Sequence, residues 1–138
     1  MLQASGGCLC GAVRYRLAGE PAMVAVCHCR TCQRNTGSAF STNVAMPREA
    51  VMVEGDTLAT FETHAGDDSP PFYRSFCARC GSPVCAQGEA YPGIIFVKAG
   101  TLDDPAQVSP TVQIWCDERW PWVQAGANTP GFGAGPGS

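Results

Sequence analysis

A chain of 138 residues with 45% apolar and 15% charged side chains is long enough to bury a real core as one domain, and its 16 Gly and 11 Pro favour short strands and turns over long helices. Nine basic residues against twelve acidic ones, with no two basic residues adjacent, argue against nucleic acid as a partner. No apolar run approaches the roughly 18 residues of a membrane span, and residues 1–8 lack a basic start followed by an apolar stretch, so the expectation is a soluble cytoplasmic protein.

The predicted elements are strands. Ala12 to Leu17 alternates, with Val13, Tyr15 and Leu17 on one face and Arg14 and Arg16 on the other, which is the pattern of a half-buried strand. Gly19-Glu20-Pro21 turns the chain into the apolar run Ala22 to Val26, a buried strand that delivers Cys27-His28-Cys29-Arg30-Thr31-Cys32 into a loop or single helical turn ended by Gly37. Ala39 to Met46 reads as a strand broken at Pro47, and Val51 to Phe61 as a hairpin turning at Gly55-Asp56. Thr63 to Pro71 is polar and reads as an exposed loop before the strand Phe72 to Phe76. Val84 to Gln87, Ile94 to Ala99 and Val112 to Cys116 complete the set. Residues 1–124 form the domain, and 125–138, rich in Gly, Pro and Ala, read as a disordered tail. Trp115, Trp120 and Trp122 are expected to close the core after the last strand, with a pocket wall or partner surface as the other reading.

Nine Cys, an odd number in a reducing compartment, point to metal ligands and core thiols rather than disulfides. Seven of them lie in close groups, and these divide into four plus three. Cys8 and Cys10 with Cys77 and Cys80, each pair beside Gly, make a closed four-thiolate site of structural type, in which the turn at Cys77 to Gly81 has the form of a zinc knuckle. Zinc is the expected metal, with an iron–sulfur cluster as the competitor. Cys27, Cys29 and Cys32 then form a second site, either open at its fourth position or closed by His28, His64, Cys85 or Cys116. An open, thiolate-rich zinc favours a soft incoming ligand, so a substrate thiol suits it better than water. Arg30 and Arg34 flank the group four residues apart, either to pair with substrate carboxylates or as ordinary surface charge.

Four stretches together carry a resemblance: Gly7 to Val13, Cys27 to Arg34 followed by Thr36 to Phe40, Phe76 to Ser82, and Ala99 to Pro105. Over about residues 5 to 123 the chain resembles the glutathione-dependent formaldehyde-activating enzyme family, which includes centromere protein V-like zinc domains. The resemblance implies an all-β domain, a β-tent of small twisted antiparallel sheets with short helical turns held by zinc. It implies a structural zinc on Cys8, Cys10, Cys77 and Cys80, a catalytic zinc on Cys27, Cys29 and Cys32, and carbon–sulfur lyase chemistry on a small thiol adduct of the glutathione and S-hydroxymethylglutathione type. Where many relatives carry a His near the final strand, this chain has Gln113. The reading from a different class is a non-catalytic, zinc-stabilised binding module with both sites structural.

Overall fold

A computed structural model describes residues 1–64, 66–125 and 128–136. Strand β1 (Leu2–Gly7) pairs antiparallel with β2 (Arg14–Gly19), and β2 pairs in turn with β5 (Val51–Glu54), giving a three-stranded sheet. The second sheet has seven strands. It is built from β3 (Met23–Cys27), β4 (Ser41–Pro47), β6 (Leu58–Thr63), β7 (Phe72–Cys77), β8 (Pro83–Gly88), β9 (Ile94–Lys98) and β10 (Val112–Ile114), in the order β10-β3-β4-β9-β8-β7-β6. One short helix, α1 (Arg30–Thr36), lies between β3 and β4 and ends at Gly37, whose φ of 70° provides the left-handed cap. No helix among the described residues is long and apolar enough to cross a membrane.

The period-two alternation of the strands decides what each face does. Val13, just before β2, and Tyr15 and Leu17 within it are buried as expected, and they pack with Val44 and Met46 of β4, Val84 of β8, and Ile95 and Val97 of β9 into the main core between the sheets. The opposite face of the large sheet presents Ala25 and Cys27 of β3, Asn43 of β4, and Phe96 and Lys98 of β9. One face of that sheet therefore builds the core and the other builds the floor of a cavity.

Several expectations need correction. Strand β1 was not anticipated, because Leu-Gln-Ala-Ser-Gly-Gly has weak strand propensity. Its glycines serve packing instead, since a Cβ at Gly6 would overlap Thr101 O and the hydroxyl of the buried Tyr15. The stretch from Val51 to Phe61 is not a hairpin. Strand β5 pairs with β2 and β6 with β7, so the Gly55-Asp56 turn carries the chain from one sheet to the other. Gly55 has φ of 127° and its Cα faces the Ala12 carbonyl so closely that a Cβ would overlap the oxygen. Gly55→Val is accordingly expected to cost at least about 2 kcal/mol in a denaturant titration, combining backbone strain and overlap.

The last strand departs from an all-antiparallel arrangement, because β10 runs parallel to β3 with Ile114 opposite Cys27. Its other edge is covered by the C-terminal segment rather than left beside a disordered tail. Gln113 N donates to Pro130 O at 2.8 Å, Phe132 N to Gln113 O at 2.9 Å, and Trp115 N to Ala134 O at 2.7 Å. Backbone hydrogen bonds to an open sheet edge need no apolar side chains, which is why composition pointed the wrong way for these residues. Residues 126, 127, 137 and 138 of the expected tail, and Ala65 of the expected loop, lie outside the described residues. Trp115 and Trp122 do not close the core, being 37% and 72% exposed, while Trp120 is half-buried.

Candidate active site

Two turns bring the first thiol group together. Cys8 and Cys10 lie on the turn between β1 and β2, while Cys77 ends β7 and Cys80 occupies the turn before β8. The two turns are built alike. Gly11 and Gly81, each following the second Cys of its pair, both have φ of 82°, and their N–H groups donate back to Cys8 O and Cys77 O. All four Sγ atoms lie within 4.8 Å of one another. Cys10 Sγ stands 3.7 Å from Cys8 Sγ and 3.8 Å from Cys77 Sγ. A tetrahedron with zinc–sulfur bonds of about 2.3 Å has edges of about 3.8 Å, so the donor set fits a closed zinc site. Hydrogen bonds favour the thiolate on the β7–β8 side of the site, where Ser82 holds Cys80 down to about 5 and Thr57 lowers Cys77, whereas Cys10 is raised.

The second group is more local. Cys27 ends β3, Cys29 caps α1 by accepting from Cys32 N at 3.2 Å, and Cys32 lies buried in the first turn. Their Sγ atoms also lie within 4.8 Å of one another, and the group comprises three ligands among the described residues. Three thiols at that spacing fit a zinc ion with one position left for another ligand. Cys32 is pushed down to about 2 by hydrogen bonds from Cys27 and Cys29, with Ser41 and Lys98 adding to the effect, while the same contacts push Cys27 up.

None of the side chains considered as a fourth ligand joins the three-thiol group, although His64 lines the cavity above it. His28, fully buried, turns its Nε2 to Gln113 Oε1 at 2.9 Å and packs its ring 5.9 Å from that of Phe40. His64 contacts Glu62 Oε2 at 2.6 Å and Ser69 O at 3.1 Å. Cys85 belongs to the apolar core, and Cys116 faces Gly131.

A cavity of about 430 Å³ opens over Cys27, Cys29 and Cys32 and includes none of the four other clustered thiols. Its polar lining includes Asn43, Lys98, Arg30 and Glu118, and its apolar lining Phe72, Phe96 and Tyr91. Lys98 is 8% exposed and donates to Asn43 Oδ1 at 2.8 Å, and Asn43 Nδ2 donates to Ser41 Oγ at 2.9 Å. Burial lowers the Lys98 ammonium from its ordinary value, and the thiols oppose that shift. Arg74 reaches the cavity from β7, its guanidinium 4.7 Å from the centre of the Phe72 ring. Helix α1 is pinned to the chain beyond β10 through the side chains of Gln33 and Glu118, Arg30 N donating to Glu118 Oε2 at 2.9 Å. Gln33 donates to His28 O at 2.8 Å and Glu118 O at 3.1 Å, and it accepts from Trp120 Nε1 at 3.0 Å.

Residues 3–118 match the model of the family GFA, described as glutathione-dependent formaldehyde-activating enzyme. The chain belongs to this family. A Halomonas elongata protein named "Putative glutathione-dependent formaldehyde-activating enzyme" is 24% identical over 123 residues, covering 86% of this chain and 78% of that protein. The crystal structure of a Rhodobacter sphaeroides protein superposes with a TM-score of 0.56 at 22% identity, over 72% of this chain and 87% of that one, and shares the fold.

Within this GFA domain, both expected thiol groups assemble. The two arginines separate: Arg30 lines the cavity and also donates to Gln33 Oε1, whereas Arg34, exposed near the end of α1, is not among the lining residues. Gln113 accepts a hydrogen bond from His28 Nε2 through its Oε1. Sequence reasoning passed over Asn43, Arg74 and Lys98. A signal was present for Lys98, the one polar residue of the apolar strand β9, and the register places it directly opposite Asn43. Trp115 also lines the cavity, held at φ of 56° by the hydrogen bond to Ala134 O.

Proposed function

We propose that the chain is a zinc-dependent carbon–sulfur lyase that forms or cleaves a small thiol adduct of the glutathione and S-hydroxymethylglutathione type, acting in the cytoplasm. The observation that supports this reading is the placement of the three-thiol group at the floor of the 430 Å³ cavity, apart from the four-thiol group. In this reading Cys8, Cys10, Cys77 and Cys80 hold a structural zinc, and Cys27, Cys29 and Cys32 hold a catalytic one. Zinc at the three thiolates supplies a soft Lewis-acid position that favours the deprotonated form of an incoming thiol.

The protein's own residues bind and orient the adduct. Phe72, Phe96 and Tyr91 keep water from the apolar side of the cavity, and Arg30 stands where a carboxylate of the thiol carrier can reach it. In cleavage the carbon–sulfur bond breaks with its electron pair kept on sulfur. The hydroxyl oxygen closes the carbonyl double bond and its proton passes to water. Addition is the reverse. Exchange NMR on formaldehyde and glutathione mixed with the zinc-loaded protein tests the reading: interconversion should run well above the spontaneous rate. A rate equal to the spontaneous one would leave the binding-module reading in its place.

Arg30 and Arg34 were both candidates for carboxylate binding, and the geometry favours Arg30. Arg30→Ala is expected to raise KM for an anionic thiol adduct at least about tenfold, equivalent to about 1.4 kcal/mol, while leaving a neutral thiol almost unaffected. Arg34→Ala should change KM by less than about twofold, and a reversed order between the two variants would move the carboxylate contact to Arg34.

A further inference from the structure

Lys98 is a costly residue for its position. It ends β9, is 8% exposed, and has no carboxylate partner in the described ion pairs. A buried cation without an acid needs another reason to be there. The three-thiol group of Cys27, Cys29 and Cys32 favours its charged form, and Arg74 opposes it. An ammonium has three donors, and among the described residues one of them is spent, on Asn43 Oδ1. Asn43 is fixed in turn by Ser41, and the Asn43–Lys98 backbone pair is in register across β4 and β9. The side chain is thus anchored on one side, with unspent donors, in the wall of the cavity that holds the three-thiol group.

We infer that Lys98 is the contact for the substrate's oxygen, donating a hydrogen bond to the hydroxyl of the adduct, or to the carbonyl oxygen of the aldehyde, while sulfur occupies the three-thiol end. The inference rests on the reading of this cavity as a thiol-adduct site. In addition, the carbon–sulfur bond forms as the carbonyl π pair moves onto oxygen, and a proton from water completes the hydroxyl. Lys98 stabilises the charge on that oxygen and keeps its own protons throughout. Asn43 is a positioning residue, because it aims the ammonium and does not meet the substrate.

The test compares two thiols of nearly the same shape, 2-mercaptoethanol and 1-propanethiol, by calorimetry on the zinc-loaded full chain. The quantity read is the ratio of their affinities. An ammonium that merely balances the thiol charge would alter both affinities alike, so the ratio isolates the oxygen contact. Lys98→Met should lower the ratio favouring mercaptoethanol about tenfold, whereas Lys98→Arg should hold it within about threefold. Asn43→Ala should lower it at least about threefold, and it carries the test if Lys98→Met does not fold. If both thiols bind and the ratio is the same in native, Lys98→Met and Asn43→Ala proteins, the assignment of Lys98 is overturned and the thiol site stands. If neither thiol binds the native protein, the thiol-site reading falls, and the assignment of Lys98 falls with it.

Discussion

Cys80→Ala is expected to leave the domain unfolded or insoluble. The turn that carries Cys80 belongs to the seven-stranded sheet, and the turn that carries Cys8 and Cys10 belongs to the three-stranded one, so this site ties the two sheets together. Cys8 and Cys77 are themselves part of the main core, with Cys80 packed against it. Loss of one ligand removes much of the metal affinity of a closed site. Structural zinc contributes about 10 to 16 kcal/mol of apparent binding energy, against about 5 to 15 kcal/mol of net stability for a whole domain. Soluble yield, zinc content and a thermal melt followed by circular dichroism measure the outcome. A soluble Cys80→Ala protein that melts like its parent would exclude a structural role for the four-thiol group.

The second large effect should fall on activity instead of folding. Cys29→Ala is expected to bind one zinc fewer and to lose lyase turnover by at least about a hundredfold, yet to keep its circular dichroism spectrum. Cys27, Cys29 and Cys32 all belong to one short stretch, so a metal there cross-links little of the chain. A modest stability loss is still expected, because Cys29 also caps α1 by accepting from Cys32 N. A lost cap costs about 1 kcal/mol, or a few degrees in Tm for a chain this size. Cys29→Ser retains a capping oxygen and should recover part of that loss while remaining short of active metal. Should Cys29→Ala prove as unfolded as Cys80→Ala, the three-thiol group is structural and the enzymatic reading fails.

Much of the site was legible because its chemistry is local. Close Cys spacing identifies both thiol groups without knowledge of the fold, and Gly37 and Gly81 mark the turns that end α1 and follow Cys80. Strands with a clear alternation, such as the one carrying Tyr15 and Leu17, were equally readable. What escaped was long-range pairing. Gly55-Asp56 has the composition of a hairpin turn, and only the competition of β2 and β7 for partners sends β5 and β6 to different sheets. Asn43 and Lys98 lie 55 positions apart, and their meeting depends on the register of β4 against β9. The C-terminal stretch was misread for a different reason. Its hydrogen bonds are made by backbone groups, which side-chain composition does not report.

The parallel pairing of β10 with β3 also sets a timetable for the newborn chain. Synthesis delivers Cys27, Cys29 and Cys32 well before Ile114, which pairs opposite Cys27, and the segment around Ala134. The four-thiol clip can close as soon as Cys80 leaves the ribosome. The three thiols at Cys27, Cys29 and Cys32 must wait, without the strand that flanks β3 and the Trp115 and Glu118 part of their cavity, until those later residues have followed. Early metal capture would shield them from oxidation over that interval, which makes zinc supply during synthesis a determinant of how much active protein a cell obtains.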